Sequence, residues 1–403
     1  VTQQQCAPVA GERDRAPVPV SRRIRPPRRP SPALTALGLF AAARLTGATA
    51  VALAAWLGGQ RPLGVLGRTW DSLWYLGIAA HGYGARTLRF GPDIVQSDLA
   101  FFPLYPALIR ALRTLLPFLS GGACGLLLAW AAALAAALGI HRVAAHLYGP
   151  ATATLLVVVW GLLPHAVVLS LGYTEPVLTA LAAWALYATL NRNWLWAGSL
   201  AALAGLARPN GCAVAAAVLA AALLEAVRRR GRVTPGLWTG ALLAPAGWAA
   251  YVLWVGVRTG DPLGGYFTVQ RRWGSTFDLG AGAARTVKGL LLHGDRFAVP
   301  RTLTLLLVAA AVLLYVLLLL DRAPLPLLVY SGVLLLVAVG GSGFFESKPR
   351  FLLPAFPLLL PVAAALARTW RTRPAQALTV LGALAGFSTA YGAYLVVYAH
   401  TPL

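Results

Sequence analysis

The stretch "RTWDSLWYLGIAAHGYG", residues 68–84, places one carboxylate, Asp71, between Trp70 and Trp74. Acids are rare here, because Asp and Glu together number 12 in 403 residues. The spacing predicts a helix over 70–81, with Asp71 and Tyr75 on one face and Trp70, Trp74 and His81 along an adjacent one. Trp and Tyr favour the membrane–water boundary. Such a helix holds a carboxylate at headgroup depth, where it can take a proton from an arriving hydroxyl as a general base. The alternative is an N-cap or a solvated loop acid. His81 reads either as a substrate contact or as a structural interfacial residue.

Other polar residues gather in short motifs. "SDLAFFPLYPALIRAL", 97–112, carries Asp98, a proline-bracketed aromatic cluster and Arg110, and reads as a second amphipathic interfacial segment. "GYTEP", 172–176, sets Glu175 where an apolar segment begins, either as a helix-dipole cap or as part of a site. "ARPNG", 207–211, puts Arg208 and Asn210 beside a helix break, a setting that suits a phosphate. "YFTVQRRWG", 266–274, adds Gln270, Arg271 and Arg272, and "ESKPRF", 346–351, adds Lys348 and Arg350. Singly, each basic cluster reads equally as a solvated loop. Together they put cations beside the few acids, which suits a substrate that is both lipid and phosphate. No His, Glu or Cys spacing resembles a metal site, and Cys6, Cys124 and Cys212 lie far apart. No glycine-rich loop follows a strand, so neither a metal nor a nucleotide cofactor is expected.

The elements that must position these residues are membrane helices. The chain is 58% hydrophobic and 11% charged, where a water-soluble domain is about a quarter charged. Apolar segments at 34–57, 121–140, 151–171, 174–190, 194–207, 211–226, 236–257, 301–320, 325–341, 351–367 and 375–398 predict an all-α polytopic protein of about eleven spans. The segments over 194–226 are short and broken by "RPNG", which also fits half-helices. Residues 1–33 read as a disordered basic tail, rich in Pro and Arg, ahead of a membrane domain over 34–403.

With that tail in the cytoplasm, the short inner connections "HRVAAH", "NRN", "RRRGR", "DRAP" and "RTWRTRP" all carry Arg, as the positive-inside rule requires. The larger loops 58–100, 258–300 and 341–350 then face outward. Asp71, Asp93, Asp98, Glu175, Asp261, Asp278, Asp295 and Glu346 fall on or near that outer face, leaving Glu12, Asp14, Glu225 and Asp321 inside. The expected site is therefore extracytoplasmic, in a multi-pass protein of the cell membrane.

The net charge of +22 is explained by loops lying against anionic headgroups, so nucleic acid is not an expected partner. Only Lys288 and Lys348 are lysines among 34 basic residues. That skew, with the abundance of Ala, Gly and Pro, fits a GC-rich bacterial genome. A coupled transporter would set acids at mid-membrane, and the predicted spans carry almost no internal charge, Arg44 being the main exception.

Taken in order, "WDSLWYLGIAAHGYG…AFFPLYP", "YTEP", "ARPNG", "VQRRWG" and "PRFLLPAFPLLLP" resemble the PIG-V family of membrane mannosyltransferases, the GPI mannosyltransferase 2 type, within the GT-C glycosyltransferases. The resemblance covers about residues 34–400. It implies inverting transfer of mannose from a polyprenyl-phosphate-mannose donor to a lipid-linked or cell-envelope glycan acceptor outside the cytoplasm. It also implies that the first-loop acid, Asp71, is the base. Eukaryotic members of the family often carry Glu and His ahead of the Phe-Phe-Pro, where this chain has Asp93 and Asp98. A lipid-linked-sugar flippase and a non-catalytic glycolipid-binding protein are the readings from other classes.

Overall fold

The computed structural model describes residues 31–91, 94–293 and 298–399. Most of the predicted tail, together with Asp93 and Asp295, lies outside the described residues. The chain opens with α1 (Pro32–Leu57), a short α2 (Pro62–Gly67) and α3 (Asp71–His81). An antiparallel ribbon of β1 (Thr87–Arg89) and β2 (Val95–Ser97) then leads to α4 (Leu104–Leu115). The bundle continues with α5 (Gly121–Tyr148), α6 (Pro150–Gly161), α7 (Glu175–Leu190), α8 (Trp194–Ala207), α9 (Cys212–Arg228), α10 (Pro235–Leu243) and α11 (Ala246–Thr259). A second loop carries α12 (Gly265–Arg272), β3 (Thr276–Phe277) and α13 (Ala281–His293). Then come α14 (Ala298–Leu320), α15 (Leu325–Gly340), β4 (Gly341–Ser342), α16 (Lys348–Leu352), α17 (Leu360–Thr372) and α18 (Pro374–Val397).

The all-α class stands, but the count of eleven spans does not follow from helix length. Among the described residues six helical stretches are long and apolar enough to cross a membrane: 32–57, 121–148, 209–228, 235–259, 299–320 and 374–397. A seventh forms if the pair 345–352 and 356–372, bent by 79°, counts as one. The remaining expected spans are shorter apolar helices, α6, α7, α8 and α15. The physical reason lies in the prolines. Pro164 cannot continue α6, so the expected span 151–171 breaks into α6 and a buried 3-10 turn, Ala166–Ser170. Pro354 similarly separates α16 from α17. "HRVAAH" is not a connection but the last turns of α5, with His141 buried.

Small side chains let the helices approach closely, as in membrane bundles generally. A Cβ on Gly198 of α8 would lie 2.1 Å from the Gly240 carbonyl oxygen of α10, and one on Gly205 would lie 2.6 Å from the Trp248 amide nitrogen of α11. Helix direction alternates along the chain. Ion pairs and a hydrogen bond bring the starts of α3, α7 and α16 to the end of α8. α3 also packs on α4 and α5, and β3 pairs with β4 to tie the loop after α11 to the loop after α15.

Candidate active site

Four charged residues separated by up to 279 positions converge at these helix ends. Asp71 is the first residue of α3, where the helix dipole favours a carboxylate. The preceding Trp70 has φ 48°, in the region L-residues avoid, at a cost of about 1–3 kcal/mol. Arg350, from α16, sets its Nη1 2.9 Å from Asp71 Oδ2 and its Nε 3.2 Å from Glu175 Oε1. Arg208, which ends α8, sets its Nη1 2.7 Å from the same Glu175 oxygen and donates to Thr174 Oγ1 at 2.8 Å. Tyr75 Oη is 3.1 Å from Thr174 Oγ1. Burial pushes the Tyr75 phenol above its ordinary pKa, so it stays protonated at neutral pH. The Arg350 guanidinium also packs against the rings of Tyr173 and Phe351, at 5.4 and 5.2 Å, which holds a buried cation in place.

This cluster borders a cavity of about 860 Å³. Asp71, Arg208, Asn210, Lys348 and Arg350 line it, with Trp70, Tyr75, Gln270 and Arg271. Phe90, Phe267, Phe277 and Phe351 add apolar surface. Lys348 Nζ donates to the carbonyls of Ala338 and Gly341 at 2.5 and 2.6 Å, so its charge is fixed without a carboxylate. Gln270 Nε2 donates to Tyr266 Oη at 2.7 Å. An aromatic wall is built from Trp74, stacked on Phe101 at 5.6 Å and edge-on to Trp273 at 5.0 Å.

The structure sets three further expected site residues and one cation apart from the cavity. Glu175 is buried behind the two arginines and does not line it. Asp98 is also buried away from the cavity. Its carboxylate accepts from the Gly84 and Arg86 amides at 2.8 and 3.3 Å and so shapes the turn after α3. His81 and Arg272 are exposed and outside the lining, because each points from its helix away from the cavity face.

The other outer acids among the described residues are engaged locally. Asp261 caps at Gly264, Asp278 caps at Gly280 and Gly282, and Glu346 pairs with Arg301. Asp71 is thus the carboxylate that lines the cavity among the described residues. Among them, no three His, Cys, Asp or Glu side chains form a metal-holding group.

Sequence reasoning missed Arg86, whose guanidinium lies 4.5 Å over the Trp74 ring at the cavity wall. It also missed Thr174 as the shared partner of Tyr75 and Arg208, although the motif that contains it was singled out.

No protein-family model and no curated protein matches the chain. Solved structures do. The oligosaccharyltransferase of Archaeoglobus fulgidus in its apo form superposes with a TM-score of 0.53 at 15% identity, over 91% of this chain and 56% of that one. This chain shares the membrane fold of that archaeal enzyme. The same archaeal enzyme with Zn and sulfate gives 0.53 at 17% identity, over 91% and 54%. Its complex with an inhibitory peptide and a dolichol-phosphate gives 0.52 at 15%, over 91% and 56%. The likeness is one of fold, and this chain spans little more than half the length of those structures.

Proposed function

We propose that this protein is a PIG-V-like bacterial membrane mannosyltransferase. It moves mannose from polyprenyl-phosphate-mannose to a lipid-linked or cell-envelope glycan acceptor on the extracytoplasmic face. One observation carries the reading: a single cavity-lining carboxylate stands 2.9 Å from a buried arginine, at the end of a cavity walled by aromatic residues. A lipid-borne phosphate and a sugar hydroxyl need that pairing. The archaeal enzyme of the same fold has been solved with a dolichol-phosphate, a ligand of the chemistry proposed for this donor.

The step balances as follows. The acceptor hydroxyl gives its proton to Asp71 while its oxygen forms a bond to the sugar's anomeric carbon. The bond from that carbon to the phosphate oxygen breaks, and the electron pair leaves with polyprenyl phosphate. Attack opposite the leaving group inverts the anomeric centre. Phosphate leaves without a strong general acid, so the demand on the protein is charge stabilisation. Arg208, Lys348 and Arg350 supply it in a partly desolvated site, where it counts for more than in water. Trp70, Trp74 and Tyr75 exclude water from the reacting pair.

The test is transfer by purified protein from labelled polyprenyl-phosphate-mannose into a membrane lipid extract, followed by mass analysis. A product one hexose heavier than its acceptor is expected. Release of free mannose alone, or no dependence on the donor, would reject the assignment.

A further inference from the structure

Glu175 is buried, does not line the cavity, and touches two cavity-lining arginines through one oxygen, at 2.7 and 3.2 Å. Removing it would therefore change no substrate contact but would change the charge that a phosphate meets. Counting the buried cations of the lining, Arg208, Lys348 and Arg350, against the lining carboxylate Asp71 and the Glu175 behind it leaves one net positive charge. Arg86 and Arg271 also line the cavity but are half-buried and exposed, respectively, so water and salt screen them.

We infer that Glu175 is a positioning residue that tunes this subsite to a phosphate monoanion, and thereby drives release of the dianionic product. The inference rests on the proposed reaction. A donor phosphodiester carries one negative charge and matches the resting subsite. During transfer Asp71 gains a proton as the leaving phosphate gains a charge, so the subsite and its ligand stay matched. Arg350, whose Nη1 faces Asp71, is freed toward the phosphate in the same step. When Asp71 returns its proton to water, a subsite with one net positive charge holds a ligand with two negative ones. The excess charge weakens binding and polyprenyl phosphate leaves. Without Glu175 the subsite would keep two positive charges and retain the product.

The probes are undecaprenyl phosphate and its methyl diester, bound to the purified full chain in detergent at about pH 8, where the monoester is a dianion. The wild type should bind the dianion no more than about threefold more tightly than the monoanion. Glu175→Gln should bind the dianion roughly tenfold more tightly than the wild type does, the size of one partly buried charge contact, and should show lower kcat without a raised donor KM. A residue that only supports the fold would weaken both ligands. If Glu175→Gln fails to fold, the wild-type comparison still decides, since a dianion preference of tenfold or more there overturns the inference. Wild-type binding of both ligands with weaker or unchanged product affinity in Glu175→Gln overturns it as well, while leaving the proposed function standing. No binding of either ligand by the wild type would overturn both.

Discussion

At the scale of single residues, Arg350 carries the most. It is 6% exposed and touches two carboxylates from two different helices. Replacing it strands Asp71 and leaves Glu175 only Arg208, whereas replacing Arg208 leaves both acids in contact with Arg350. Breaking a buried pair costs about 3–5 kcal/mol, and losing one charged contact costs about 1.5–3 kcal/mol. Arg350→Gln should therefore lower the thermal midpoint in detergent clearly more than Arg208→Gln does. Arg208→Gln should stay folded and lose about ten- to a hundredfold in donor affinity. Arg350→Lys should not rescue, because an ammonium cannot bridge two fixed carboxylates as a planar fork does. Equal midpoints for the two Gln variants would contradict the bridging role.

These residues were legible because charges are scarce in so apolar a chain, and each is costly to place near a membrane. Asp71, Arg208, Lys348 and Arg350 stood out for that reason. Scarcity does not reveal partners, however. Asp98 and Glu175 looked alike in sequence, yet one shapes a turn through backbone amides and the other sits behind two arginines. That difference depends on contacts between segments many residues apart.

At the scale of elements, the site is held by helix ends, so helix packing sets its geometry. α8 ends at Arg208 and crosses α11 where Gly205 has no room for a side chain. Overpacking such a contact costs about 1–3 kcal/mol. Gly205→Ala should lower the thermal midpoint and also donor affinity, although it touches neither cavity nor ligand. An unchanged midpoint would mean that α8 and α11 have slack there. The expected segments 236–257 and 375–398 begin one residue after Pro235 and Pro374, which open α10 and α18, whereas α2 at Pro62 was not foreseen. The breaks were harder to foresee. Pro164 and Pro354 lie in runs apolar enough to pass as continuous spans, and only packing shows the chain turning there. The pairing of β3 with β4 joins two loops whose sequences carry no strand signal.

At the scale of the whole molecule, arginine-bearing connections mark the face opposite the cavity. The connections after α7, α9, α14 and α17 carry Arg192, Arg229, Arg322 and Arg373, while Asp71 and the cavity lie at the opposite helix ends. The proposed extracytoplasmic site requires these connections to face the cytoplasm, in keeping with the positive-inside rule. A cysteine introduced at Gly91, with Cys6, Cys124 and Cys212 replaced, should react with an impermeant thiol reagent in intact cells. Labelling only after the cells are broken open would invert the orientation and remove the argument for an extracytoplasmic donor.

The proposed function turns on one claim, that Asp71 takes the proton of the acceptor. Arg350 keeps its contact with Glu175 when Asp71 is neutralised, so Asp71→Asn should fold and bind donor at least as tightly as the wild type does. General-base contributions are about 10²–10⁴-fold. The decisive measurement is mannose transfer by purified Asp71→Asn at saturating donor. Turnover is expected at least about a hundredfold below wild type, with the variant still folded and its donor affinity not reduced. Turnover within about threefold of wild type would contradict the claim.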